Sequence, residues 1–173
     1  MTKTALQHIA LFIILVFVQV VVFNHICLFG CAVPLVFIYF IMQLSTSLST
    51  NWVLTFSFLM GMTIDIFSDT QGMNALACTL LGALRRPVLH LYFPREDEMP
   101  NPVPSMRSLG MSTYLKYVFS LSLIYCTLFF LIEAFSLFNP GRLILKILSS
   151  TALTFVIIVA IDSLTSRRRE KRL

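Results

Sequence analysis

Long apolar runs are the feature that most constrains this chain. A helix that crosses the roughly 30 Å hydrocarbon core of a bilayer needs about 20 mostly apolar residues, because it rises about 1.5 Å per residue. The first run extends from Ala5 to Phe23 without a charged residue. The runs predict an all-α membrane protein with six transmembrane helices in one bundle, at about 5–23, 26–44, 52–68, 70–92, 112–135 and 141–164.

The composition agrees with a chain that lies in lipid. Apolar residues make up 57% of the sequence and charged residues only 12%, whereas a soluble domain has roughly a quarter of its residues charged. The net charge of +5 does not indicate a nucleic-acid partner, because its excess lies in one terminal cluster beside an apolar helix. Such a cluster is a topology signal that also attracts anionic membrane lipid, and here it comprises Arg167, Arg168, Arg169, Lys171 and Arg172.

The distribution of basic residues predicts the orientation. The basic tail 165–173 places the carboxyl terminus in the cytoplasm, and six crossings return the amino terminus to the same side. Eleven of the 13 Lys and Arg residues then lie inside, as does the proline-rich loop 94–110. We therefore expect a multi-pass protein of the bacterial inner (cytoplasmic) membrane. Whether the fourth run crosses the membrane stays open. It crosses only if Arg85 and Arg86 extend into the interface, and charge alone does not distinguish five helices from six.

Charged residues near the predicted outer ends of the helices are the candidate sites. Gly61, Asp65 and Ser68 form a narrow stripe of small and polar residues on the third helix, with Asp69 one turn beyond Asp65. Such a stripe favours close helix packing.

The Asn-Pro-Gly turn at 139–141 predicts a second charged site. Glu133 and Lys146 lie at similar distances on either side of it, so an antiparallel hairpin pairs them. With Arg142, Asp65 and Asp69 they predict one outer charge network, for which a packing role and a partner or solute site both stay open.

No pattern in the sequence indicates an enzyme. His8, His25 and His90 fall in unrelated places, and the four cysteines form no CxxC pair. Catalysis or metal binding needs such groups to converge on one pocket. We expect no catalytic residues, no metal and no cofactor.

The stretch from Gly61 to Arg95 resembles the rod-shape-determining MreD family, whose members have a Gly-x-x-x-Asp in the third helix, a short turn with a glycine, and a small-residue-rich fourth helix. It covers about a fifth of the chain, and the length and six-run layout agree over the rest. The matching residues here are Gly61, Asp65, Gly72, Asn74 and Ala75.

This resemblance implies a non-enzymatic membrane subunit of the bacterial cell-elongation complex that makes peptidoglycan. Its implied partners are MreC first, then RodA, a penicillin-binding transpeptidase and the actin-like MreB. The family's fold is similar to that of the substrate-binding subunits of energy-coupling-factor transporters, so a solute-binding transport subunit is the alternative. The Ala-x-x-x-Ala contact typical of those subunits is absent, since Ala5 and Ala10 have the wrong spacing.

Overall fold

The computed structural model describes residues 2–22, 33–93, 103–134 and 140–170. Every regular element in these ranges is a helix, and none is a strand. The helices are α1 (Thr2–Val21), α2 (Ile38–Gln43), α3 (Thr50–Ser68), α4 (Met73–Tyr92), α5 (Met106–Leu109), α6 (Met111–Glu133) and α7 (Pro140–Glu170).

Three of the described helices are long and apolar enough to span a membrane: α3, α6 and the Gly141–Leu164 part of α7. A further apolar helical stretch, His8–Val21, is shorter. Helix α4, which contains Arg85 and Arg86, is not among the three. The prediction of an all-helical membrane protein is confirmed at this level, and the count of six crossings stays a prediction.

The prediction of a helix over 26–44, kinked at Pro34, is wrong in the part that the structure describes. Residues 33–37 are not helical, and α2 covers only Ile38–Gln43. Pro34 explains the break, because proline has no backbone N–H and disfavours the helical conformation of the residue before it. Residues 26–32 of this prediction lie outside the described residues.

Side chains from two other helices replace the missing helical hydrogen bonds of this non-helical segment. The Val33 N–H donates to Ser150 Oγ and the Leu35 N–H to Thr154 Oγ1, both over 3.0 Å. From α1, the Gln19 side-chain amide donates to the Pro34 carbonyl and accepts from the Val36 N–H, again over 3.0 Å. Irregular backbone is tolerated at membrane depth only where protein groups satisfy it in this way.

The non-helical segment and α2 form the centre of the bundle. All residues from Pro34 to Met42 are buried. The longer helices pack around them in the order α1, α3, α4, α6 and α7, and α2 itself contacts α1, α3 and α4. Large side chains such as Tyr117 and Tyr125 of α6 fill the core, while the outer faces of α1 and α3 are strongly apolar. In a bilayer these faces contact lipid.

Two predicted boundaries differ from the structure. The segment 94–110, predicted to be a loop, contains α5, whose start is capped by the side chain of Ser105 accepting from the Ser108 N–H. Helix α7 does not end near 164 but continues to Glu170, so the backbone of Arg167, Arg168 and Arg169 is helical. Lys171 and Arg172 lie outside the described residues.

Candidate functional site: the joint between α3 and α4

The candidate site begins with a close approach of two helix backbones. A Cβ atom added at Gly61 would lie 2.5 Å from the Cα of Ala75 and 2.5 Å from the carbonyl oxygen of Asn74. Only a residue without a side chain therefore lets the first turn of α4 come this near to α3.

Asp65, one turn after Gly61, caps the start of α4 from outside that helix. Its carboxylate accepts from the backbone N–H groups of Asn74 (3.0 Å) and Ala75 (2.8 Å). These belong to the first turn of α4, whose N–H groups have no partner within the helix. The residue at the N-cap position is Gly72, which has no side chain to offer. A negative charge is also favoured beside the positive end of the helix dipole.

The capping carboxylate continues into a buried polar network that reaches α6. Asp65 Oδ1 accepts from the Thr70 hydroxyl and from the Asn74 side-chain amide, the latter over 3.0 Å. The Asn74 side-chain oxygen in turn accepts from the Tyr125 hydroxyl over 2.7 Å. Asp65, Asn74 and Tyr125 are all buried, so the network fixes three helices to one another at a fixed register.

The connection between α3 and α4 depends on two residues with positive φ. Asp69 ends α3 at a φ of 53° and Gly72 begins α4 at a φ of 77°. Glycine adopts this conformation without strain, and Asp is among the few other residues that tolerate it. The Asp69 side chain is exposed, and Ser68 is partly buried. Asp69 therefore shapes the turn and does not belong to the buried network.

Chemically, the joint is a closed hydrogen-bonded connection. The four donors of Asp65 come from Thr70, Asn74 and Ala75, and the residue as a whole is only 6% exposed. The described residues contain no group of three or more His, Cys, Asp or Glu that could hold a metal ion. What the arrangement can do is position the first turn of α4 and the surface beside it.

An open apolar groove lies beside the joint. It has a volume of about 610 Å³, and Asp65, Thr70 and Thr79 are the polar side chains that line it. Exposed side chains of α3 form one side and α4 the other; the main apolar contributors are Phe58, Met62, Ile66, Ala75 and Leu76.

The predicted outer charge network is only partly present. Lys146 Nζ lies 3.8 Å from Glu133 Oε1, so the expected hairpin pair forms. Both side chains are about two-fifths exposed, which makes this a weak, half-solvated pair and not a buried one. Among the described residues no ion pair links Asp65 or Asp69 to Arg142 or Lys146, and Arg142 is exposed. The extension of the network to α3 is therefore wrong, because Asp65 is engaged by α4.

Sequence reasoning missed the role of the two arginines of α4. The sequence makes extension of Arg85 and Arg86 to the interface a condition for the fourth run to cross, but Arg85 is 1% exposed and lies inside the bundle. Its guanidinium donates to the Leu44 carbonyl, while Arg86 donates to the carbonyls of Thr46 and Leu48. Both thus bind the connection between α2 and α3. The sequence does contain a signal for this role, because an arginine within an apolar helix needs a polar or charged partner inside the bundle.

A buried carboxylate on α7 was missed as well. Asp162 accepts from the Tyr39 hydroxyl over 2.9 Å and from the Gln43 side-chain amide over 3.1 Å. Ser150, Thr154 and Asp162 lie at spacings of four and eight residues, so one face of α7 binds Val33, Leu35, Tyr39 and Gln43. The spacing of these three residues is visible in the sequence, but it indicates a binding face only if the second predicted helix is known to be broken.

Comparison of the chain with family models, curated proteins and solved structures finds no match in any of the three.

Proposed function

We propose that this chain is a non-enzymatic integral membrane subunit of the bacterial cell-elongation complex, similar to MreD, that scaffolds MreC. RodA, the penicillin-binding transpeptidase and MreB are further members of this complex. The chain lies in the inner membrane with both termini in the cytoplasm. The observation that carries the proposal is the convergence of Gly61, Asp65, Gly72, Asn74 and Ala75 on one joint. The five residues that carry the resemblance also lie together in the structure, so they form one structural unit.

A scaffold role also agrees with the groups that the joint leaves accessible to another molecule. Its carboxylate is fully engaged, so it offers no acid or base to a substrate, while the adjoining groove presents apolar side chains of α3. Helices recognise one another in lipid by close packing and a few polar contacts. Among the first three helices α2 is buried, so the exposed apolar surface that the structure describes there belongs to α1 and α3. We assign the MreC membrane anchor to the α3 side of the groove.

Co-isolation with MreC in mild detergent tests this assignment. We expect MreC to be retained by the native chain and by Leu131→Trp, a control at an exposed position of α6 (48%). We expect Met62→Trp, which fills the groove from a similarly exposed position of α3 (46%), to lower retention. Equal retention by the two variants would remove the groove from the proposal.

Depletion tests the function itself. Rounded cells after depletion in a rod-shaped host are the expected outcome. The transport alternative predicts normal shape, a solute-specific growth requirement and a melting temperature raised by a vitamin-like solute through mass action. That alternative needs convergent polar groups in a cavity, whereas the charged end of the bundle has Asp65 bound to α4 and the groove beside it is mainly apolar.

A further inference from the structure

A second apolar groove lies towards the other end of α3, between α1, α2 and the loop that joins α2 to α3. Its volume is about 510 Å³, within the range of roughly 300–1,000 Å³ that is typical of small-molecule sites. Phe12, Phe40 and Phe56 are prominent in its walls, and His8 and Ser45 supply its polar groups. The groove thus has apolar walls and a polar rim.

The rim is formed by the loop that the two arginines bind. Leu44, Ser45 and Leu48 line the groove. Arg85 donates to the carbonyl of Leu44, and Arg86 Nη2 donates to the carbonyl of Leu48 over 2.9 Å. Two positive charges therefore stand directly behind one wall of the groove.

These charges have no acidic partner within the protein that the structure describes. Every hydrogen bond of Arg85 and Arg86 goes to a backbone carbonyl or to the hydroxyl of Thr50. Arg85 Nε is buried and has no hydrogen-bond partner at all. Charge in such a place is costly unless something of opposite sign lies near it.

We propose that this groove binds an acyl chain of an anionic phospholipid, with the phosphate group next to the Arg86 side of the rim. A groove with apolar walls and two positive charges behind one of them is complementary to an amphiphile with an apolar chain and an anionic end. Basic groups near a membrane surface attract such headgroups. This inference is independent of the scaffold function, because it uses other residues at the other end of the bundle.

Native mass spectrometry of the full chain tests the inference with two lipids, phosphatidylglycerol and phosphatidylcholine with identical acyl chains. At about 1 kcal/mol per basic residue, we expect about five-fold better retention of phosphatidylglycerol. Leu59→Trp, which fills the groove, should abolish this retention. Leu91→Trp is the matched control, since Leu91 is exposed on α4 and does not line the groove. Equal retention of the two lipids, or an unchanged result with Leu59→Trp, would overturn the site.

A charge-compensating variant tests the role of the rim without breaking its loop. Thr50 is exposed at the first position of α3, and its hydroxyl accepts from Arg86 Nη1 over 3.2 Å. Thr50→Glu gives Arg86 an internal carboxylate and places an acid favourably at a helix N-terminus. We expect it to remove the preference for phosphatidylglycerol, while the neutral Thr50→Gln retains it. A preserved preference in Thr50→Glu, or a protein helix cross-linked in the groove in place of lipid, would refute the proposal.

Discussion

Asp65 supplies to α4 the cap that Gly72 has no side chain to provide. The backbone N–H groups of Asn74 and Ala75 are buried beneath its carboxylate, and they lose their acceptor if it is removed. A buried donor that is left without a partner costs about 1–3 kcal/mol. The residue thus matters for stability out of proportion to the few atoms that it contributes.

Substitution of this carboxylate should separate its capping role from a general need for acidity at this end. We expect Asp65→Ala to lower the free energy of unfolding by about 3 kcal/mol or more, because two buried backbone donors and the buried Asn74 side-chain amide lose their acceptor. Asp65→Asn should lose less, since one oxygen still accepts. The measurement is thermal unfolding in detergent. The control is Asp69→Asn, which changes the same group at an exposed position and should stay within about 0.5 kcal/mol.

The partner of Asp65 was the part of the site that sequence could not supply. Gly61 of the predicted stripe does pack closely against α4, but the sequence predicts that Asp65 joins a charge network with Arg142 and Lys146 of the last helix. A charge pattern shows that an acid needs a partner and not whether the partner is a cation or a helix N-terminus. That choice depends on how α3 and α4 cross, which Gly61 sets through its contact with Ala75.

At the scale of elements, the α3–α4 pair depends on two glycines that face different neighbours. A Cβ at Gly61 meets backbone of α4. A Cβ at Gly82 instead meets the Ser57 side chain, whose hydroxyl at 2.5 Å can rotate away and whose Cβ at 3.0 Å must shift slightly. At Gly141 nothing lies within 4 Å. Alanine at these three positions therefore imposes three different demands on the surroundings.

We expect the alanine variants to rank in stability as these neighbours dictate. Gly61→Ala should cost about 1–3 kcal/mol, as is typical of overpacking, and should also displace the Asp65 cap. Gly82→Ala should cost less, and Gly141→Ala should be neutral or slightly stabilising because alanine favours the helix. Melting temperatures of the three purified variants give the ranking. A Gly61→Ala variant as stable as Gly141→Ala would contradict the close approach.

The broken second element shows where periodicity stops being informative. Residues 26–44 are apolar enough for a helix, and Pro34 by itself predicts only a kink. Whether such a helix bends or unwinds depends on acceptors elsewhere in the chain, here Ser150 and Thr154. Local sequence does not contain that information.

Removal of these acceptors should destabilise the bundle. In Ser150→Ala with Thr154→Val, the N–H groups of Val33 and Leu35 lose their partners, and we expect about 1–3 kcal/mol for each. Ser149→Ala is the matched control, because Ser149 bonds only to carbonyls of its own helix. Thermal unfolding again provides the measurement. Equal losses in the control and the double variant would show that these hydroxyls are dispensable.

At the scale of the whole molecule, the lengths and composition of the apolar runs predict a helical membrane protein. They do not fix the number of crossings, because α4 carries two arginines and its sequence alone does not show whether it spans the membrane.

Ser47 and Asp69 are both exposed and lie beyond opposite ends of α3. In a cysteine-free background, we expect a cysteine at Asp69 to react with a membrane-impermeant reagent from outside. A cysteine at Ser47 should react only after permeabilisation, and its reaction in intact cells would invert the predicted orientation.

The bond between the unwound segment and α7 also bears on how the protein is made. Ser150 lies 117 residues after Val33, so the ribosome synthesises the acceptor long after the donor has been produced. Until α7 inserts, the amides of Val33 and Leu35 have no partner from that helix, and unpaired amides are poorly tolerated in lipid. The non-helical segment therefore completes its hydrogen bonds only after α7 has been made and has packed against it.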